Sequence, residues 1–88
     1  MNKAVYKYNF VSGEAIVVPR GSKILKAGKQ GDQWVVWLEV NLAVDEKVSL
    51  NLVVRGTGWH FEGRGSQHID TVFDGDWVWH VYKVVGGV

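Results

Sequence analysis

The stretch Gln33-Trp34-Val35-Val36-Trp37-Leu38-Glu39-Val40 decides the fold. Its even positions (Trp34, Val36, Leu38, Val40) are wholly apolar, while Gln33 and Glu39 break up the odd ones. An apolar period of two belongs to a half-buried strand and not to a helix. The even face therefore faces a core, and Trp37 points away from it. Residues 47–55 repeat the pattern, with Val48, Leu50, Leu52 and Val54 inward and Ser49, Asn51, Val53 and Arg55 outward. Working outward, Gly, Asn and Asp clusters cut the rest into short runs. Strands are expected at 3–10, 14–18, 22–27, 67–73 and 77–85, with a polar turn at 28–32 and a single helical turn as the most that 42–46 allows. Residues 86–88 read as a frayed tail.

Seven short strands without crossover helices give an all-β domain over residues 1–88, a small antiparallel sandwich or partly closed barrel. Seventeen valines and five tryptophans suit pleated, half-buried surfaces. The expected core includes Tyr6, Tyr8, Trp34, Val36, Leu38, Leu50, Leu52, Trp77 and Trp79. In the last hairpin a three-residue turn over residues 74–76 keeps faces matched. It pairs Phe73 with Trp77 and Thr71 with Trp79, and sets Asp70 opposite His80 and His68 opposite Tyr82.

Composition excludes several classes. There is no cysteine, hence no disulfide framework or thiolate metal site, which suits a reducing compartment. Residues 1–10 alternate lysine with aromatics, so no signal peptide or membrane span is expected. A net charge of +1 gives little steering toward nucleic acid, which is a disfavoured partner. The charge is divided, however: residues 1–30 carry +5 and residues 31–88 carry −4. Five indoles in so small a domain cannot all be hidden. A homo-oligomer is therefore expected, with an outward apolar patch of Ile24, Val35, Trp37 and Val53 as its interface and Trp37 at or near the contact.

The longest loop, residues 56–66, carries the candidate site. Arg55-Gly56-Thr57-Gly58-Trp59-His60 follows a strand, yet no helix can open at Phe61-Glu62-Gly63-Arg64-Gly65, so a dinucleotide fingerprint is rejected. Glycine-rich backbone, the forked donors of Arg55 and Arg64, and the ring faces of Trp59, His60 and Phe61 are still suited to an anionic ligand. The expected ligand-binding set is Arg55, Gly56, Gly58, Trp59, His60 and Arg64. The same residues would equally serve tight turns, with Trp59 or Phe61 capping the sandwich end. His68, Asp70 and His80 could form a metal corner or an oriented base, and a surface His–Asp pair explains them as well. No catalytic motif is present, so no enzyme, no cofactor and no metal are expected.

Several segments carry a family likeness: Tyr6-Lys7-Tyr8, Val18-Pro19-Arg20-Gly21-Ser22-Lys23-Ile24-Leu25, Trp37, Gly56-Thr57-Gly58 and the closing Trp79-His80-Val81-Tyr82. Over almost the whole chain the sequence resembles a family of small phage-encoded proteins of uncharacterised function. Members often end soon after the Trp-His-Val segment, whereas this chain runs to Val88. The resemblance implies a phage gene product acting in the host bacterial cytoplasm, where such proteins commonly antagonise host defence. It carries over no catalytic residues. The leading expectation is a non-enzymatic protein that sequesters a small anionic, nucleotide-derived ligand. Its alternatives are a phage inhibitor binding a host protein through an exposed apolar β face and a virion or assembly accessory.

Overall fold

The computed structural model describes residues 2–85. It contains seven strands: β1 (Lys3–Phe10), β2 (Ala15–Pro19), β3 (Lys23–Gln30), β4 (Gln33–Asn41), β5 (Lys47–Gly56), β6 (Ser66–Asp74) and β7 (Trp77–Val84). They form two antiparallel sheets, ordered β1-β4-β3 and β2-β5-β7-β6, stacked as a sandwich that does not close into a barrel. The described residues contain no helix. Residues 42–46 instead begin on an Asn41 turn, whose Oδ1 accepts from Ala43 N–H at 3.0 Å while its carbonyl accepts from Val44 N–H at 3.1 Å. The frayed tail expected at 86–88 lies outside the described residues.

The alternation of β4 and β5 builds the core. Val36, Leu38, Val40, Leu50, Leu52 and Val54 are buried and meet Phe10, Val18, Ala27, Val72 and Val81. Tyr8, Trp34 and Trp79 pack against this cluster partly buried. Two expected core aromatics are surface residues: Tyr6 is 46% exposed and Trp77 65%. Tyr6 has core-facing parity, but β1 is an edge strand, and Trp77 opens β7 beside a hairpin turn.

Two bulges alter the expected faces. In β3 the register slips between Ile24 and Lys26, so Ile24 opposite Leu38 and Ala27 opposite Val36 both face inward. Ile24 consequently packs against the core and does not join an outward patch. In β6 the slip lies between His68 and Asp70. Near the turn the pairs are Asp74–Trp77, Phe73–Val78, Val72–Trp79, Thr71–His80 and Asp70–Val81, one residue off the three-residue register; beyond the bulge His68 does face Tyr82. The turn is the two-residue Gly75-Asp76, and β3–β4 uses the matching Gly31-Asp32. Glycine at φ +59° and +60° in the first position suits a type II′ turn, whose twist matches the strands.

β3 and β6 draw the sheets together along one side. The Asp70 carboxylate accepts from Ala27 N–H and Lys26 Nζ, each at 3.0 Å, and Lys29 Nζ reaches Asp74 at 2.9 Å. An aromatic chain caps the end where β1 and β5 finish and β4 and β7 begin. It runs Phe10–Trp34–Trp79–Trp59 with centroid spacings of 6.4, 6.0 and 5.7 Å, the last two edge-on, and Trp77 stacks on Trp79.

Candidate functional site

Antiparallel pairing lays outward side chains of β5, β7 and β6 in rows. One row reads Val53–Tyr82–His68 and the next Arg55–His80–Thr71. The chain leaving β5 then folds back over these rows. Gly58, at φ +87°, sits at the third position of a turn closed by Trp59 N–H donating to Gly56 O at 3.1 Å. This turn lays the Trp59 indole over Gly56, where a Cβ would come within 2.7 Å of the ring. Phe61 comes down on Tyr82, with centroids 5.1 Å apart.

Between them lies an open cleft of about 170 Å³ walled by Arg55, Trp59, Phe61, His80 and Tyr82, with Thr57 at its rim. The Arg55 guanidinium carbon stands 3.8 Å from the Phe61 ring centre and 4.7 Å from that of Tyr82. Its Nη1 is buried without a hydrogen-bond partner. Among the described residues no carboxylate pairs with Arg55. The wall thus offers a cation that rests against two rings, has no carboxylate partner and carries an unsatisfied N–H donor.

Four of the six expected ligand residues line this cleft: Arg55, Gly56, Gly58 and Trp59. His60 and Arg64 do not. Arg64 extends into solvent beside Glu62, whose carboxylate lies 3.8 Å away. The sequence reading does not give Tyr82 or His80 to this site, because β7 reaches the cleft only through the pairing of β5 with β7; Thr57 stands within the loop segment but outside the expected set. The Ile24, Val35, Trp37 and Val53 set is dispersed. Ile24 is inward, Val53 lies on the other sheet, and Val35 is 1% exposed. The Trp37 indole lies across Gly28, the cross-strand partner of Val35, at 3.3 Å from where a Cβ would stand.

The expected His–Asp constellation separates. Asp70 turns inward to β3, while the imidazoles stay outside on a threonine relay. Thr57 Oγ1 donates to Val78 O at 3.2 Å, and His80 Nε2 lies 2.9 Å from the same oxygen. A hydroxyl has one proton, so with Thr57 Oγ1–H on Val78 O the donor toward Thr57 is His80 Nε2–H. In the neutral ring Nδ1 then accepts from Thr71 Oγ1 at 3.3 Å, and Thr71 in turn accepts from His68 Nε2–H at 3.0 Å. The relay fixes the His80 ring against the cleft wall and brings no carboxylate to it.

The family described as "Domain of unknown function (DUF7352)" matches residues 1–87. Comparison with curated proteins and with solved structures found no match. No helix among the described residues is long and apolar enough to cross a membrane. By the extent of the match, the chain belongs to the DUF7352 family, a family of unknown function.

Proposed function

We propose that this chain is a non-enzymatic binding protein that takes up a small anionic ligand bearing a flat ring, nucleotide-derived, in the cleft of Arg55, Trp59, Phe61 and Tyr82. The observation that carries this reading is the Arg55 guanidinium, which lies against the paired Phe61 and Tyr82 rings with an unpartnered Nη1 and no carboxylate beside it. An anion supplies the opposite charge that Arg55 lacks, and the exposed Trp59 face supplies a stacking surface. About 170 Å³ is smaller than the 300 Å³ or so at which drug-sized pockets begin, so one moiety is gripped and the remainder stays in solvent. In the phage setting that the resemblance implies, such binding withdraws a signalling nucleotide from a host defence in the bacterial cytoplasm.

Calorimetry with a panel of linear and cyclic nucleotides tests the reading. Heat with at least one, abolished in Arg55→Ala, is the expected result, and silence across the panel removes the proposal. A second reading is favoured by Phe73, 78% exposed on the outer face of β6, the strand next to the cleft wall: a host protein docks there. Arg55→Ala would leave that contact intact, whereas Phe73→Ser would break it.

A further inference from the structure

We propose that β1 is an edge built to pair with β1 of a second copy of this chain, antiparallel, about a two-fold axis at Tyr6. The two β1-β4-β3 sheets would then join into one six-stranded sheet. The proposal does not rest on the ligand cleft.

The sandwich has four edge strands, β1, β3, β2 and β6, and three of them are blunted. β3 is bulged at Leu25, and the Asp70 carboxylate occupies its Ala27 N–H. β6 is bulged at Ile69. β2 has five residues and ends in Pro19. Its ladder places Arg20 N–H on Glu46 O, so bonds to β5 fall on even residues and the proline nitrogen lies on the outward side. Bulges, proline and short length are the devices by which proteins prevent edge-to-edge pairing. β1 has none of them. It runs eight residues in unbroken register with β4. Its two lysines do not screen the edge, because Lys3 Nζ is drawn to Glu39 at 3.2 Å and Lys7 Nζ to Gln30 at 2.8 Å, back over their own sheet.

The ladder tells which groups are free. Leu42 N–H donates to Asn2 O, so bonds to β4 fall on even residues. The main-chain groups of Lys3, Val5, Lys7 and Asn9 point outward. Side-chain pattern then selects the partner and the register. Residues facing each other across antiparallel strands must share a sheet face, which centres the two-fold on Val5, Tyr6 or Lys7 if most of the strand is to pair. Centring on Val5 sets Lys3 against Lys7, and centring on Lys7 sets that lysine against itself. Both oppose like charges. Centring on Tyr6 places Lys3 opposite Asn9, Val5 opposite Lys7, Ala4 opposite Tyr8, and Tyr6 opposite the second copy's Tyr6. About eight main-chain hydrogen bonds result, with the tyrosines at a close, non-bonded pair. Tyr6 faces the core side yet is 46% exposed, so the other sheet does not reach beneath it and a second strand has room there. Val5, 56% exposed, gains cover from the Lys7 stem.

Sedimentation equilibrium of the full chain across the micromolar range should give twice the 9.9 kDa chain mass at the upper end. Val5 is exposed, so its substitutions leave the fold intact. Val5→Lys, placed opposite Lys7 twice per dimer, should weaken association about tenfold, and Val5→Glu should strengthen it by a similar factor. The chain has no cysteine, so Tyr6→Cys should form a disulfide-linked dimer on mild oxidation while Val17→Cys on β2 should not. A monomer at every concentration overturns the proposal. So does a dimer indifferent to both Val5 substitutions, or one that Val17→Cys cross-links in place of Tyr6→Cys. If Tyr6→Cys fails to fold, the Val5 pair alone decides.

Discussion

Two arginines of one loop have opposite surroundings, and that difference is measurable. Arg55 lies against Phe61 and Tyr82, whereas the Arg64 side chain is 88% exposed. Arg55→Ala should abolish nucleotide heat while shifting the unfolding midpoint modestly, by the loss of stacking worth about 1 kcal/mol. Arg64→Ala should change neither measurement, since exposed substitutions stay within about 0.5 kcal/mol. Equal loss of binding in both variants would place the ligand outside the cleft. Gly56 is the more severe test of the wall itself. A methyl there meets the Trp59 indole at 2.7 Å, so Gly56→Ala should displace the ring and quench-protect it less, read as a shift in tryptophan emission. Leu52, fully buried, marks the stability scale: Leu52→Ala should cost about 2–5 kcal/mol in urea unfolding. Arg55 to Trp59 are legible as a site because they are consecutive. His80 and Tyr82 are not, because only strand pairing brings them to the same wall.

At the scale of elements, sequence periodicity carries β4 and β5 well, since both are interior strands whose even positions are apolar from Trp34 to Val40 and from Val48 to Val54. It fails where a strand slips by one residue. Ile24 stands beside the bulge at Leu25 and Ile69 is itself a bulge, and a bulge reverses which parity faces the core without leaving a mark in hydrophobicity. A three-residue turn at 74–76 is what an unbroken β6 would require. The bulge at Ile69 absorbs the odd residue and frees the turn to be Gly75-Asp76. The repeated Gly-Asp at 31–32 and 75–76 is the signal that identifies both turns, because a type II′ turn needs glycine in its first position. Gly31→Ala and Gly75→Ala should therefore each cost about 1–2 kcal/mol through the left-handed conformation. Gly63, without positive φ and with open space around its Cβ position, is the contrast: Gly63→Ala should be neutral or stabilising by up to about 1 kcal/mol. Urea midpoints of the three variants decide it, and equal losses at all three sites would refute the turn assignment.

For the molecule as a whole, the two sheets share few polar ties besides the β3–β6 seam, and that seam is acid-sensitive. Partial burial pushes the Asp70 carboxyl up, but Ala27 N–H, Lys26 Nζ and Thr71 N–H together outweigh it and hold the group below the usual carboxylate range. Asp74 is also lowered, chiefly by its hydrogen bond from Lys29. A carboxyl whose folded value lies below its unfolded one, about 3.9, contributes stability that is complete above the unfolded value. That contribution disappears as pH falls through the folded value. Stability should therefore be level from neutrality to about pH 5 and decline from about pH 4 downward. Lys26 is too exposed for its ion pair to add much, so the Ala27 N–H bond dominates the seam. Asp70→Asn keeps an acceptor for that N–H but removes its charge, and should cost about 1–2 kcal/mol at pH 7. Its urea midpoint should then converge on that of the wild type as pH is lowered, because protonation removes from the wild type what the substitution has already removed. Parallel lines across the acid range would mean that Asp70 does not tie the sheets, and that the apolar core holds them together alone.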